Sequence, residues 1–157
     1  WDGTWTTVVI TSVGMDPRVR AAMRNALQDS RFGELREAVW LRPDNLDDAL
    51  PAEVEGRVRV LHARDDNPGQ LAAQLWDLDG WSDTGYRLLA EMASASDTPG
   101  RFAVAAGMVR HLLADPVLPD ELLPSGWPGA QVRQAYTDFA AELVARRDET
   151  RLMEATR

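Results

Sequence analysis

The sequence predicts an α+β protein in which a small sandwich of strands and helices precedes an all-helical part. The β-branched segment Thr6–Thr11, the alternating segment Val58–Ala63 and the mixed segment Phe32–Leu41 all lie in the first 66 residues. Every periodic segment after them has the spacing of a helix. The order strand, helix, strand or strands, short helix, strand is that of a ferredoxin-like sandwich. We therefore predict a ferredoxin-like domain over residues 1–66 and a helical C-terminal domain over residues 67–157.

The first strand and helix are predicted from local signals. Thr6–Thr11 reads TTVVIT, which is typical of a buried strand. Asp16 and Pro17 are predicted as the N-cap and the first residue of a helix. We expect Gly33 to close the turn after this helix. One face of the helix is apolar, with Val19, Ala22, Met23, Ala26 and Leu27.

The rest of the sandwich is less regular in sequence. Phe32–Leu41 predicts one strand, or two short strands with a kink, and Pro43 ends it. Asn45–Leu50 is predicted as a short helix capped by Asn45. In the strand Val58–Ala63, alternation places His62 on the inner-looking face, as a hydrogen-bonded structural histidine or a ligand contact.

Everything after the turn Asp65–Gly69, the predicted domain boundary, is predicted to be helical. Asp79–Asp83 is expected to break one helix and cap the next, and Ser94–Gly100 to form a loop. The charged end, residues 146–157, is expected to fray or extend into solvent. Apolar stripes at helical spacing comprise Leu71, Leu75 and Leu78; Tyr86, Leu89, Ala90 and Ala93; Phe102, Ala105, Ala106, Val109, Leu112 and Leu113; and Val132, Tyr136, Phe139 and Leu143.

A proline-rich stretch, Asp115–Gly129, lies between the last two predicted helices and reads DPVLPDELLPSGWPG. Each proline fixes φ and removes a backbone donor, so a helix cannot run through the stretch. Its leucines and tryptophan are too apolar for a free linker. We predict a rigid, packed connector with at most a short turn at Pro119–Leu123, which Pro124 stops.

Composition excludes several function classes. The net charge of −8 makes the chain a poor candidate for holding DNA by itself, since phosphate contacts need a basic surface. There is no cysteine and only two histidines, which exclude disulfides and make a zinc site improbable. No phosphate loop, nucleophile elbow or zinc-protease motif is present. We therefore expect no catalysis, cofactor, metal or membrane span, and a cytoplasmic location.

Eight residues are candidates for ligand binding by residue type. Arg18, Arg20 and Arg24 form a local positive patch on the first helix that suits phosphates, or else a solvated face. Arg110 and His111 suit an anionic group, or else are exposed surface. Tryptophans suit an aryl ligand, although most tryptophans pack a core or an interface. The candidates among them are Trp40, Trp76 and Trp127.

The proline-rich run Asp115–Gly129 resembles the C-terminal signature of the PaaX-like repressors, which regulate phenylacetic acid degradation. Trp1–Trp5, before a β-branched strand, resembles the entry to the central domain of that family. Phe32–Leu35, Val39–Pro43 and Leu75–Leu78 resemble further family stretches, in the same order. The resemblance covers nearly the whole chain.

The resemblance implies a repressor with a winged-helix DNA-binding domain, a central ferredoxin-like domain and a helical C-terminal domain. Trp1 already enters the central domain, so we expect a portion that binds effector and forms a homodimer, and that meets operator DNA only through the absent winged helix. The implied effector is an acyl-CoA such as phenylacetyl-CoA. The predicted phosphate contacts are Arg18, Arg20 and Arg24, and the predicted acyl pocket is Trp40, Trp76, Arg110, His111 and Trp127.

Two departures from the family keep alternatives open. The family often shows a His-x-Tyr-Arg-like run before the Asp-Pro, but Ala106–Arg110 reads AGMVR. This difference leaves two alternatives: the chain binds an effector other than that of the family, or it is a ligand-free interaction scaffold. The central domain also resembles small CRISPR-associated nucleases, which place a metal-binding aspartate after the first strand. Ile10–Val13 holds no acid there, which disfavours the third alternative, a metal-dependent nuclease.

Overall fold

In a computed structural model the chain forms a four-stranded antiparallel sheet followed by helices, which confirms the predicted α+β class. The structure describes the backbone of residues 1–155 and the side chains of residues 1–147. Its elements are β1 (Trp5–Ile10), α1 (Pro17–Asp29), β2 (Gly33–Arg36), β3 (Val39–Pro43), a 3-10 turn (Ala52–Val54), β4 (Val58–Ala63), α2 (Pro68–Leu75), α3 (Leu78–Ser94), α4 (Thr98–Leu113), a second 3-10 turn (Asp120–Leu122) and α5 (Gly129–Ala155).

The chain divides into two compact units. Unit 1 comprises Trp1–Leu78 and Pro116–Pro124, and unit 2 comprises Asp79–Asp115 and Ser125–Arg157. The proline-rich connector thus contributes to both units. The division into domains at residue 66 stays a prediction.

The sheet of unit 1 has the strand order β2-β3-β1-β4, with every neighbouring pair antiparallel. The β1–α1–β2 connection passes over β3, as in the first half of a ferredoxin-like sandwich. Only the 3-10 turn Ala52–Val54 connects β3 to β4, where a full sandwich has a second long helix. The core therefore lies under α1, where Met23 and Leu27 pack against Val8 and Trp40.

The start of α1 is as predicted, but the turn after it is not. The Asp16 carboxylate accepts the backbone N–H of Arg18 at 2.7 Å, and Pro17 is the first helical residue. Arg31, with φ of 67°, takes the left-handed position of the following turn, so the role predicted for Gly33 was wrong. Gly33 opens β2, and an added Cβ would lie 2.7 Å from the Cβ of Leu75.

Residues 33–43 form two strands, the second of the alternatives, and Pro43 ends β3 as predicted. The predicted helix Asn45–Leu50 is wrong, because this segment is irregular. Six residues are too few to sustain a helix without tertiary contacts that favour it. The Asn45 side chain instead donates to the carbonyl of Val117 at 3.0 Å, and Arg42 donates to the carbonyl of Asp48.

The predicted strand Val58–Ala63 is confirmed as β4, but His62 is exposed on it. β4 pairs only with β1 and lies at the sheet edge. The His62 side chain is 59% exposed, with its Nε2 3.9 Å from Asp44. His62 lies on the same face of the sheet as Val8 and Val58, which belong to or pack against the core, so the predicted face is confirmed. No second long helix covers that face of β4, and the side chain is therefore exposed.

In unit 2, the predicted break at Asp79–Asp83 is also wrong, since α3 runs through it. The chain turns at residues 76–77 instead. The loop predicted over Ser94–Gly100 is shorter, because Asp97 caps α4 by accepting the Gly100 N–H at 2.6 Å. The helices predicted from the last two apolar stripes are confirmed as α4 and α5.

The connector confirms the predicted short turn, which spans Asp120–Leu122. Leu118 and Leu122 are buried, as expected for a packed connector. The backbone of α5 is helical as far as Ala155. The predicted fraying of residues 146–157 falls mostly on residues whose side chains lie outside the described part of the chain. None of the helices in the described part of the chain has both the length and the apolar composition that a membrane span requires.

Candidate functional site

A cleft of about 850 Å³ opens in unit 1 between the loop after β1, the outer face of α1 and the β2–β3 hairpin. We call it the β1–α1 cleft. Its volume falls in the range of small-molecule sites in proteins. It is lined by Ile10, Thr11, Ser12, Val13, Gly14, Met15, Arg20, Arg24, Glu34, Arg36, Glu37, Ala38 and Trp40.

Three arginines line the β1–α1 cleft. Arg24 forms an ion pair with Glu34, and its guanidinium carbon lies 5.7 Å from the centroid of the Trp40 ring. Arg20 and Arg36 are exposed and form no ion pair with a described residue. Guanidiniums that are not already paired are available to bind a carboxylate or a phosphate. The cleft therefore combines a rim of arginines with an aromatic wall.

Trp40 forms the buried wall of the cleft. Only 2% of its surface is exposed, and its indole Nε1 has no hydrogen-bond partner. A buried donor without an acceptor costs roughly 1–3 kcal/mol. This nitrogen is itself buried, so it lies within the wall and not at the open surface of the cleft.

Two of the three arginines in the predicted patch line this cleft. Arg20 and Arg24 line it together with Trp40. Arg18 is exposed on α1 but is not in the lining, because residues two apart on a helix do not face the same direction. Sequence reasoning missed Arg36, which the β2–β3 hairpin brings to the cleft. The one signal for Arg36 in the sequence was the alternative prediction of two short strands over residues 32–41, since a hairpin there carries Arg36.

The other predicted tryptophans lie elsewhere. In unit 1, Trp76 stacks on Trp5 with ring centroids 6.4 Å apart. In unit 2, Trp127 stacks on Trp81 at 4.2 Å. The predicted acyl pocket is therefore not assembled from its five residues within either unit, and ligand binding by these residues stays a prediction.

Arg110 and His111 lie in a groove of unit 2 between α3 and α4, with a volume of about 510 Å³. We call it the helical groove. Sequence reasoning missed Arg87, which α3 contributes to it. The His111 ring stacks on Trp81 at 3.9 Å, and the Trp81 Nε1 donates to the backbone carbonyl of His111 at 3.2 Å. The His111 Nε2 is buried without a hydrogen-bond partner.

Burial lowers the pKa of His111 below its ordinary value of 6.5. A hydrogen bond to the backbone of Trp81 and the charge of Asp115 oppose this shift, and the charge of Arg87 adds to it. The neutral imidazole is therefore the form that the folded unit favours.

We expect unit 2 to lose stability as the pH falls below 6.5, because the unfolded chain then takes up a proton that folded His111 resists. The loss is complete once the pH has fallen through the lower pKa of the folded state. His111→Gln should abolish this slope, measured by urea unfolding between about pH 7 and pH 5. His62→Gln, at the exposed histidine, is the matched control and should retain it. An unchanged slope in His111→Gln would contradict the assignment.

No group of three or more metal-ligating side chains is placed to hold an ion within the part of the chain that the structure describes. The β1–α1 cleft lies at the end of the first strand, where the nuclease alternative would require an aspartate. In this chain its carboxylates are Glu34 and Glu37, both on the β2–β3 hairpin side.

Comparison with known proteins identifies the family. The family model of the PaaX protein central Cas2-like domain matches residues 1–73, and that of the PaaX-like protein C-terminal domain matches residues 76–151. The uncharacterized protein Rv0674 from Mycobacterium tuberculosis has a solved structure that is similar, with 59% identity and a TM-score of 0.92. The similarity covers 96% of this chain, which spans 64% of the length of that one.

Among curated proteins, none matches this chain significantly. The two family models together extend over the sheet and the helices described above, and they agree with the resemblance carried by the proline-rich connector and the tryptophan motifs. The chain belongs to the PaaX-like family, of which it carries the central and C-terminal domains.

Proposed function

We propose that this chain is the effector-binding and dimerisation portion of a PaaX-like repressor, and that its effector is an acyl-CoA thioester such as phenylacetyl-CoA. The observation that carries the proposal is the β1–α1 cleft, which three arginines and Trp40 line, with the Arg24 guanidinium over the Trp40 ring. The proposed role is binding and signalling, without a catalytic step.

The chemistry of the cleft suits both ends of such a ligand. Arg20 and Arg36, which have no ion-pair partner among the described residues, would take CoA phosphates, for which guanidinium geometry is well matched. The aryl-acyl end would lie against the indole of Trp40. Glu34 and Glu37 limit the positive charge, which favours a ligand with an uncharged part over a long polyanion.

The proposed mechanism is a population shift in a homodimer. Most operators have two half-sites at a fixed spacing, so a repressor dimer binds well only when its two readers match that spacing. An effector that binds more tightly to a dimer with a different spacing shifts the population away from operator binding. The operator would be contacted through a winged-helix domain of the repressor.

Calorimetric titration with phenylacetyl-CoA tests the proposal, with free CoA and phenylacetate as ligand controls. We expect saturable binding of the thioester and weaker binding of each part. Arg20→Gln should weaken it about tenfold, since one charge-assisted contact is lost. Arg59→Gln, at an exposed arginine of β4, is the matched control and should bind as the unaltered chain does. Equal affinity of Arg20→Gln and the unaltered chain would rule out this cleft as the phosphate site.

A ligand-free interaction scaffold is the second candidate. Val13, at the tip of the loop that lines the cleft, is 97% exposed, and a fully exposed large apolar side chain suits a protein contact. Indifference of the folded chain to every acyl-CoA tested would favour this candidate.

A further inference from the structure

We propose that the helical groove of unit 2 is a second anion-binding site, which holds a small carboxylate or phosphate group between the guanidiniums of Arg87 and Arg110. It is separate from the β1–α1 cleft, which belongs to unit 1. Nothing in the proposal depends on the identity of the effector.

The floor of the groove is shaped to bring a guanidinium close to the helix backbone. Gly107 allows α4 to approach α3 there, since an added Cβ would lie 3.1 Å from the Leu88 Cδ2. The same position lies 3.9 Å from the Arg110 Nη2. The Arg110 guanidinium thus folds back over Gly107, along the groove, and does not extend away from α4.

The charges of the groove are unbalanced. Arg110 forms no ion pair with any residue in the described part of the chain. Arg87 pairs with Glu91 at 2.7 Å, the one carboxylate of the groove lining. Two guanidiniums therefore face one carboxylate, and a small oxyanion would supply the missing negative charge with bidentate geometry.

His111 is a built-in reporter of this site. The groups that act on it are Arg87 from α3, the adjacent Asp115, which pairs with Arg133 of α5 at 3.1 Å, and the Trp81 ring. The charge of Arg87 lowers the pKa of His111, so an anion that neutralises this guanidinium should raise it. The chain has only one other histidine, His62, which lies on the exposed edge of the sheet in unit 1.

The test is proton NMR of the two histidine rings during titration of the whole chain with sodium acetate and, separately, inorganic phosphate, at constant ionic strength adjusted with sodium chloride. We expect the His111 ring signals to shift saturably and their titration midpoint to rise, while the His62 ring signals show no saturable shift. Arg110→Gln should weaken the saturable response about tenfold or more. Arg147→Gln, an exposed arginine of α5, is the matched control and should respond as the unaltered chain does.

The two probes distinguish the sources of the anion. A response to acetate alone identifies a carboxylate site, a response to phosphate alone identifies a phosphate-ester site, and a response to both identifies a general oxyanion site. Each of these supports the proposal when Arg110→Gln removes it. The proposal is overturned if neither probe gives a saturable shift of His111, if both histidines shift alike, or if Arg110→Gln responds as the unaltered chain does.

Discussion

Arg42→Ala is expected to lower the free energy of unfolding of unit 1 by about 3 kcal/mol or more. Only 4% of the surface of Arg42 is exposed. Its Nη1 donates to the carbonyl of Ser30 at 2.9 Å, its Nη2 donates to the carbonyl of Asp48 at 2.9 Å, and its guanidinium carbon lies 4.7 Å from the centroid of the Phe32 ring. One side chain therefore fixes the end of α1 and the irregular segment after β3.

Opposing effects decide the size of this loss. Burial lowers the pKa of Arg42, while the charges of Asp48 and Asp44 raise it, so holding the cation in the fold has a desolvation cost. Truncation removes that cost, but it also removes two charge-assisted hydrogen bonds of roughly 1.5–3 kcal/mol each and leaves a cavity. We expect the free energy lost with the two hydrogen bonds and the cavity to exceed the desolvation cost that truncation removes.

Urea unfolding followed by circular dichroism measures the effect. Arg42→Lys should be intermediate, because an ammonium lacks the planar fork that reaches both carbonyls. Arg59→Ala, on the exposed edge strand, is the control and should unfold near the midpoint of the unaltered chain. If Arg42→Ala unfolds at the same urea concentration as the control, the two backbone contacts contribute little to stability.

Features fixed by a few neighbouring residues were the ones predictable from sequence. Asp16 and Pro17 define the start of α1 through one capping hydrogen bond and one preset φ. The prolines of the connector exclude a continuous helix, and the short turn Asp120–Leu122 lies where the sequence allows it. The family resemblance rests on the same local runs, which explains why it was visible without coordinates.

Features set by tertiary packing were not predictable in the same way. Asp79–Asp83 has the composition of a helix break, yet α3 continues through it because Trp81 packs between the rings of His111 and Trp127. Burial of that indole outweighs the weak helix propensity of Gly80. No local pattern reveals partners that lie about 30 and 46 residues away along the chain.

The residues of the candidate sites also divide into those predictable from local spacing and those set by tertiary packing. Arg20 and Arg24 lie on one helix, so their shared face follows from helical spacing. Arg36 and Arg87 were missed because a hairpin and a helix pair bring them to their sites, and neither element reveals its partner in its own sequence. Residue type located the arginines and aromatics, while topology determined which of them meet.

Gly85→Ala is expected to destabilise unit 2 by about 1–2 kcal/mol, although alanine is the better helix former. In an exposed helix the substitution would stabilise by roughly 1 kcal/mol. In α3 the added Cβ would lie 2.8 Å from the Cγ of Pro128 and 3.4 Å from the His111 Nε2. Pro128 is fully buried and its ring is rigid, so the overlap can be relieved only by moving α3 or the start of α5. Overpacking of this kind costs typically 1–3 kcal/mol, which exceeds the gain in propensity when the neighbour cannot yield.

Gly69→Ala supplies the matched control, because Gly69 is also helical but an added Cβ there meets nothing within 4 Å. We expect this variant to be as stable as the unaltered chain or more stable, since only propensity changes. Thermal and urea unfolding of both variants separate the two effects, and Gly85→Val should be less stable than Gly85→Ala. Equal stabilisation by alanine at both positions would show that Pro128 moves freely. The close approach of α3 to Pro128 would then not explain why glycine occupies position 85.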